Sequence, residues 1–369
     1  MSGDSAVHVG VKLAPMKNVH MVITDLFLPK DFAAEVCAEL HLPALEKILA
    51  RGVSAGSART ADSRLSLEDY LCELFGMAST SGAPVASISA AFDGLEQGCW
   101  LRADPVHVRL QREQVVLLPK VSVSIDESVQ FCASLNEHFA EQGLAFFAPH
   151  PQRWYVKLDE VPDIVTVPLS QAAGRNIHGN LPTGAASRHW HQLFNEIQML
   201  LFAHPLNQAR EARGELPVNS VWLWGNGKNP VLPQSPYDNA SSDEVLVDML
   251  AASAGIPFVQ WQPAWRDSHS HGDNGLLPEG RQLLVWIGLR AALQRGDLAA
   301  WRQALQDFEA GYAQPLWQAL RSGKIAQLQL DVLGGDSQRQ VRLTRGDAWS
   351  IWRRGKPLAD YSAESTQNE

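Results

Sequence analysis

The stretch HPLNQAREARGELPVNSVWLWGNGKNPVLP, residues 204–233, holds the densest group of structure-determining residues in the chain. Its central run, VNSVWLW, is apolar enough to predict a buried strand. The glycines of the following WGNG segment would let a ligand approach backbone amides. The other side chains also have purely structural interpretations: a helix cap for His204, fixed turns for Asn207 and Asn219, and core positions for Trp222 and Trp224.

Strand and helix patterns alternate on the carboxyl side of this stretch. A helix is predicted at 241–254, then the strand LLVWIGL, a long helix at about 297–321 and the strand IAQLQLDV. Such alternation predicts a doubly wound, largely parallel sheet. On the amino side, HMVITDLFLP (20–29) indicates a buried strand that places Asp25 at its carboxyl end, where open α/β sheets bind ligands.

Further elements follow from apolar spacing. Residues 31–52 predict one helix that ends at Arg51 and Gly52, and further helices are predicted at 126–142 and 186–203. The runs APVASISAAF (83–92) and VVLLP (115–119) predict strands.

The composition argues against several classes of protein. A formal charge of -9 and a pI near 5.7 argue against general binding of nucleic acid. No apolar run approaches the roughly 20 residues that span a bilayer, and the first residues do not resemble a secretory signal. We expect a cytoplasmic protein without membrane contact. The four cysteines are widely spaced, so neither a disulfide nor a zinc site is expected.

The 204–233 stretch resembles the archaeal-type cofactor-independent phosphoglycerate mutases, whose comparable segment runs HPVN, one or two basic residues, PAN, IWLWG, glycine and proline. Residues 153–184 are similar to the family's arginine-led strand and proline-rich loop, although VPLS (167–170) stands roughly where the family has Pro-Pro-His-Asp. LPALEKILARG (42–52) is similar to a helix of the alkaline phosphatase superfamily. The chain also resembles an uncharacterised proteobacterial family labelled RpfE-type regulatory protein.

The resemblance implies an architecture of two domains. Residues 1–100 and 216–369 would form an alkaline-phosphatase-like sheet domain, and residues 101–215 an inserted smaller α/β domain. The connections would lie near LRADP and ELPVN.

The resemblance also implies a place for two divalent metal ions beside a Ser or Thr nucleophile. Asp25 fits the first ligand, and Asp297 and Asp331 match two others, each expected at the end of a strand. Gln294 and Val332, however, stand where histidines are expected, and residues 272–369 contain no histidine. Because Gln is a poor substitute for imidazole, we expect vestigial ligands and no two-metal site. The carboxylates alone would suit at most a single Mg²⁺ or Mn²⁺ ion.

The nucleophile position is altered as well. Ala61 stands at this position in TADSRLSL, so only Thr60 or Ser63 could substitute, and only if the loop shifts. An ordinary turn with a helix cap also explains this segment. His269 and His271 could bind a metal, but a flexible polar loop is the other interpretation.

Ten polar residues remain as candidates for ligand binding. Arginine forks suit phosphate and carboxylate, so the set favours an anion cleft between the domains for a phosphorylated small molecule. Alternatively, each residue has a structural role, such as pairing of Arg102 with Asp104. The candidates are Arg102, Asp104, Arg153, Arg175, His204, Asn207, Arg210, Arg213, Asn219 and Lys228.

Three hypotheses for the function remain open. The first is a mutase-like regulatory or binding protein that has lost catalysis. The second is an active metal-dependent phosphomutase or phosphatase that acts on a phosphorylated hydroxy acid. The third is a structural or assembly protein. Twelve tryptophans favour a protein partner, because tryptophan is enriched at interfaces, although core packing explains most of them equally well.

Overall fold

The computed structural model describes residues 17–54, 66–77, 83–111, 113–118, 121–226, 234–265, 280–334 and 339–364. The strands in these ranges are, in chain order, β1 (Lys17–Thr24), β2 (Val53–Ser54), β3 (Cys99–Gln111), β4 (Gln114–Leu118), β5 (Ala145–His150), β6 (Arg153–Leu158), β7 (Ser220–Trp224), β8 (Asn239–Ser242), β9 (Phe258–Gln260), β10 (Arg281–Trp286), β11 (Ile325–Leu333) and β12 (Arg339–Thr344).

The α-helices of the same ranges are α1 (Lys30–Val36), α2 (Pro43–Arg51), α3 (Leu67–Leu74), α4 (Val85–Phe92), α5 (Ile125–Phe139), α6 (Leu169–Ala172), α7 (Ser187–Phe202), α8 (Pro205–Ala212), α9 (Val245–Ala254), α10 (Arg290–Gln294), α11 (Leu298–Phe308), α12 (Gln314–Ser322) and α13 (Leu358–Glu364). A π-helical turn, Glu309–Ala313, joins α11 to α12. No helix of the described ranges is long and apolar enough to cross a bilayer.

The chain divides into two compact units. The first comprises 1–61, 237–243 and 259–369, and the second comprises 62–236 and 244–258. Both units are discontinuous in sequence, and each is described separately below.

The first unit contains a seven-stranded sheet in the order β2-β12-β11-β1-β10-β8-β9. Strand β1 pairs in parallel with β10 and β11, and β10 pairs in parallel with β8. Only β12 and the short β2 are known to run antiparallel to their neighbours within the described pairings. The predicted class, a mixed α/β fold with a largely parallel sheet, is therefore confirmed.

One face of this sheet carries the main hydrophobic core of the first unit. Met21 and Ile23 of β1 pack there with side chains of α2, α11 and α12. The core also encloses one acidic residue, Glu309, whose carboxylate accepts the backbone N–H groups of Ala44 and Leu45 at 2.7 and 3.0 Å. Glu309 thereby caps the first turn of α2, for which the N-cap residue Leu42 offers no polar side chain.

The second unit contains a five-stranded antiparallel sheet in the order β4-β3-β6-β5, with β7 also paired to β3. Its core is formed by one face of this sheet together with α5 and α7, through residues such as Phe131, Leu135, Trp190 and Ile197. Helix α5 begins with a complete capping box, in which Ser124 and Glu127 bond each other's backbone N–H.

Two of the predicted elements differ from the structure. Residues 31–52 form two helices, because Pro43 lacks an N–H donor and therefore begins a new helix instead of continuing the first. APVASISAAF (83–92) forms helix α4 and not a strand. Short apolar runs do not distinguish a strand from a buried helix by periodicity, and the many alanines of this segment favour the helix.

The unit boundaries also differ from the predicted domains 1–100 with 216–369 and 101–215. Residues 62–100, 216–236 and 244–258 group with the second unit. The reason is strand pairing: β7 lies antiparallel beside β3, with Ala103 opposite Leu223. The LRADP segment, predicted as a connection, lies inside the 13-residue strand β3.

The cap provided by Glu309 leads to a stability prediction. Replacement Glu309→Ala leaves two N–H groups of α2 unsatisfied, so we expect the free energy of unfolding to fall by about 2–3 kcal/mol. Glu309→Gln keeps one acceptor oxygen, so its free energy of unfolding should lie between those of Glu309→Ala and the native protein. Urea denaturation measures all three. Gln306→Ala, an exposed position on the same helical segment, is the control, and an equal loss there would contradict the prediction.

Candidate functional site

The carboxyl edge of the parallel sheet presents Asp25 in an unusual backbone conformation. Asp25 follows β1 directly and has a φ of 60°, in the left-handed region that side chains other than glycine seldom adopt. Its N–H donates to the Leu333 carbonyl at 2.9 Å, and its carbonyl accepts from Trp301 Nε1 at 3.2 Å. Neighbouring strand and helix thus hold Asp25 in place, as expected for a residue at a sheet's ligand-binding edge.

The Asp25 carboxylate is paired with a cation of the protein itself. Arg290 Nε lies 3.2 Å from Asp25 Oδ2, and both side chains are about three-quarters buried. Arg290 is the first residue of α10, just beyond the end of β10. Because β1 and β10 are neighbouring parallel strands, this pairing follows from the sheet order.

Asp331 belongs to a buried chain of hydrogen bonds. Its Oδ2 lies 2.6 Å from His20 Nε2, and Gln329 Nε2 donates to both of its oxygens at 3.1 and 3.3 Å. His20 Nδ1 lies 2.7 Å from the hydroxyl of Tyr237, a group whose pKa is raised by burial. Asp331 is fully buried within β11, two residues before its end, and not at the carboxyl end where it was predicted.

Asp297 does not lie at the end of a strand, which corrects the prediction for this residue. It follows α10 and is the N-cap of α11, where its carboxylate accepts the Ala300 N–H at 2.9 Å. Capping of this kind is a local structural role.

Sequence reasoning missed Asp243, which follows β8 at the same edge as Asp25. Its Oδ1 accepts the Ile287 N–H at 2.8 Å. Burial raises the pKa of this carboxyl, while backbone hydrogen bonds and the charge of Arg290 oppose that shift. The available signal was weak, because β8 is the short run NASS of small, mostly polar residues that precedes the acidic residue.

These side chains do not fit the two-ion arrangement implied by the resemblance. Among the described residues, no three His, Cys, Asp or Glu side chains converge in a way that could hold a metal ion. Arg290 already neutralises Asp25, and donors of β1 and β11 enclose Asp331. The residues Thr60, Ser63, Lys228, His269 and His271 lie outside the described ranges.

In the second unit, Arg102 and Asp104 form the buried pair considered in the sequence. They are two apart on β3 and therefore share a face of the sheet. Arg102 Nε and Nη2 donate to Asp104 Oδ1 at 2.9 and 2.6 Å, and Trp224 Nε1 donates to Oδ2 at 2.7 Å. The guanidinium also lies 5.4 and 5.3 Å from the ring centres of Tyr155 and Trp224. Burial raises the pKa of Asp104, although Arg102 opposes the shift.

A second ion pair belongs to the same network. Arg153 donates two hydrogen bonds to Asp93, at 2.8 and 2.6 Å, and the Tyr155 hydroxyl donates to Asp93 at 2.5 Å. Burial alone would raise the pKa of Asp93, but the bonds from Arg153 and Tyr155 outweigh it and leave this pKa below its usual value. Burial and the charge of Arg153 together lower the pKa of nearby His150.

Arg210 and Arg213 are engaged at a third location. Arg210 is buried and donates to Glu127 at 2.8 Å, to the Leu216 carbonyl and to the Ser122 carbonyl. Arg213 pairs with Glu127 and Glu215 at 2.9 and 2.8 Å. These bonds tie the end of α8 to the start of α5.

The remaining candidate residues of the second unit, except Arg175, form hydrogen bonds that fix neighbouring backbone segments. Asn207 bonds the backbone of Leu201 and Val218, and Asn219 bonds both backbone groups of Val108. His204 caps α8 and also bonds Ser134. Arg175 differs, because its side chain is exposed and forms no hydrogen bond with another described side chain or backbone group, although its backbone N–H donates to the Ala172 carbonyl at 3.1 Å. The structure therefore brings Arg102, Asp104 and Arg153 together, but places Arg210, Arg213 and His204 elsewhere.

Comparisons with known proteins agree with the resemblance. No protein-family model matches the chain. The chain is 37% identical to a probable 2,3-bisphosphoglycerate-independent phosphoglycerate mutase of Geobacter sulfurreducens, over 42% of the chain and 41% of that protein. It is 25% identical to the 2,3-bisphosphoglycerate-independent phosphoglycerate mutase of Methanosarcina mazei, over 74% of the chain and 73% of that protein. The match to the Geobacter protein thus spans about two-fifths of its length.

The fold has a counterpart among solved structures. The PH0037 protein of Pyrococcus horikoshii matches with a TM-score of 0.55 and 12% identity, over 95% of this chain and 93% of that one. This likeness supports the fold. The sequence matches, and not this structural likeness, confirm that the chain resembles cofactor-independent phosphoglycerate mutases.

The Arg153–Asp93 pair leads to a pH-dependent prediction. Removing Arg153 leaves a buried, unpaired carboxylate, so Arg153→Ala should lower the free energy of unfolding near pH 7 by about 2–3 kcal/mol. In the native protein the folded pKa of Asp93 is depressed, so its contribution is present above the unfolded pKa, about 3.9, and is lost as pH falls through the folded pKa. The difference in free energy of unfolding between Arg153→Ala and the native protein should therefore shrink below about pH 4.

Denaturation curves across this pH range measure the effect. The double variant Arg153→Ala/Asp93→Asn should recover part of the loss, because the unpaired charge is gone. Arg175→Ala serves as the matched exposed arginine and should change stability little. A difference that stays constant with pH would show that Asp93 is not the group responsible.

Proposed function

We propose that this relative of the phosphoglycerate mutases has lost metal-dependent catalysis and acts as a regulatory or binding protein in the cytoplasm. The observation that carries the proposal is the pairing of Asp25 with Arg290 at 3.2 Å. A cation of the protein compensates the carboxylate that best matches a metal ligand.

Electrostatics explains why this pairing matters. A metal ion at Asp25 would lie close to the Arg290 guanidinium, and two positive charges in such proximity repel each other strongly at a partly buried site. The ion would have to displace Arg290 to use the carboxylate. Asp331 is still less accessible, because it is fully buried and already accepts from His20 and Gln329.

The sequence supports the same conclusion independently. Two-metal phosphoryl transfer needs ligands that hold both ions and a nucleophile beside them. Ala61 stands at the expected nucleophile, and residues 272–369 supply no histidine. Asp297, a third expected ligand, caps α11 instead. Loss of several ligands removes charge stabilisation that substrate positioning cannot replace.

Two other functions stay as alternatives. An active phosphomutase or phosphatase would need ligands from segments outside the described ranges, with His269 and His271 as the obvious source. A purely structural or assembly role is the other alternative. Binding of a phosphorylated small molecule also stays a prediction, although Arg102, Arg153 and Arg210 already donate to Asp104, Asp93 and Glu127.

A turnover assay tests the proposal. Purified protein supplied with Mn²⁺, Co²⁺, Zn²⁺ or Mg²⁺ should interconvert 2- and 3-phosphoglycerate no faster than buffer with the same metal. A mutase of proven activity, assayed in parallel, confirms that the conditions support catalysis. The physical reason for the expected result is the missing ligand shell and nucleophile.

One result would overturn the proposal: turnover that depends on added metal and disappears in Asp25→Ala. Thr60→Ala and Ser63→Ala would then identify the nucleophile, and His269→Ala with His271→Ala would identify the replacement ligands. Turnover that survives in Asp25→Ala would instead indicate a contaminating enzyme and leave the proposal intact.

A further inference from the structure

Three large apolar side chains are exposed close together near the end of the first unit. Trp349, Ile351 and Trp352 are 54%, 71% and 76% exposed. Single exposed apolar residues are common, but two tryptophans and an isoleucine within four positions form a concentrated apolar surface. None of the three belongs to the described hydrophobic core of the first unit.

Arginines surround these side chains. The Arg321 guanidinium lies 4.8 Å from the ring centre of Trp349. Arg353 and Arg354 directly follow Trp352 and are exposed. We call this surface the tryptophan–arginine patch and define it by Trp349, Ile351, Trp352, Arg321, Arg353 and Arg354.

Arg51 fixes the backbone beneath the patch. Its Nη1 donates to the Ala348 carbonyl at 2.6 Å and its Nε to the Arg353 carbonyl at 3.4 Å. Arg353 Nη1 returns a bond to the Arg51 carbonyl at 3.2 Å. These bonds anchor the segment to the end of α2.

Cationic side chains predominate in the patch, although Glu46 of α2 packs against Gly355 beside it. In the described part of the chain, none of Arg51, Arg321, Arg353 and Arg354 forms an ion pair with a carboxylate. Burial and the nearby charge of Arg321 lower the pKa of Arg51. Residues 339–356 contain six cationic residues and one acidic residue, although the whole chain carries a net charge of -9.

We propose that the tryptophan–arginine patch docks an acidic segment of a partner protein, one that also carries large apolar side chains. Trp and Arg are the residues most enriched at interface hot spots. Five of the six cations in 339–356 are arginines, whose planar forks match carboxylates. Charge complementarity therefore selects an acidic partner, and the exposed rings provide its apolar anchor site.

The proposal deepens the binding role proposed above, but its test does not depend on turnover. The probe is a fluorescein-labelled peptide in which Glu and Asp alternate with Leu and Phe, titrated with the full-length protein and followed by anisotropy. A control peptide carries Gln and Asn in place of the acids. We expect the protein to bind the acidic peptide and not the neutral control peptide. Added salt should weaken this binding.

Matched variants locate the binding surface. Trp352→Ala and Arg354→Glu should each weaken peptide binding by about tenfold or more, as expected at a hot spot. Both side chains are exposed, so stability should change little. Phe202→Ala, 80% exposed in the second unit, and Arg188→Glu, also exposed there, are the apolar and charged controls and should leave binding unchanged.

Three outcomes would overturn the proposal. The first is equal binding of the neutral peptide, and the second is insensitivity of binding to Trp352→Ala and Arg354→Glu. The third is failure to bind the acidic peptide while single-stranded oligonucleotides or vesicles of anionic phospholipid bind in a Trp352-dependent way. Stacking and phosphate contacts would then explain the patch.

Discussion

The position of β1 between β10 and β11 is the constraint on which the first unit depends. His20 of β1 and Asp331 of β11 are 311 positions apart in sequence and yet lie in hydrogen-bonding contact. The edge that carries Asp25, Asp243 and Arg290 exists only when these distant strands have paired. Because closing such long loops is costly before contacts form, the sheet cannot assemble from local structure alone.

Much of the fold could be predicted from the sequence because its strong elements agree with their local patterns. Strands β1, β7 and β10 each contain a run of three or four apolar residues, β11 alternates leucine with polar residues, and α5 and α7 have clear apolar faces. The failures have local causes. α4 is a short run of Ala, Ser and apolar residues, for which strand and helix patterns coincide. The extent of the second unit depends on the pairing of β7 with β3. The periodicity of a sequence does not show which distant strands pair.

The candidate site was less predictable, because residue type does not reveal the partner. The sequence suggested Arg102 and Asp104 as either a ligand site or a pair, and the structure places them in contact with each other and with Trp224. Arg290 neutralises the charge of Asp25, but it belongs to no sequence motif that would have identified it. Asp297 carried a local signal that the family resemblance obscured: an acidic residue directly before an apolar helical run is typical of an N-cap. Local chemistry was the better guide at that position.

The hydrogen-bonded chain Tyr237–His20–Asp331 has a consequence for spectroscopy. Its three side chains are at most 3% exposed, and its two bonds are 2.7 and 2.6 Å long. Because these groups are buried, solvent reaches the exchangeable imidazole proton when β1 and its neighbouring strands open. Its exchange with deuterium should therefore be slow and should report the opening of the central strands. In proton magnetic resonance, His20 thus provides a native label for the cooperative opening of this sheet, without any attached probe.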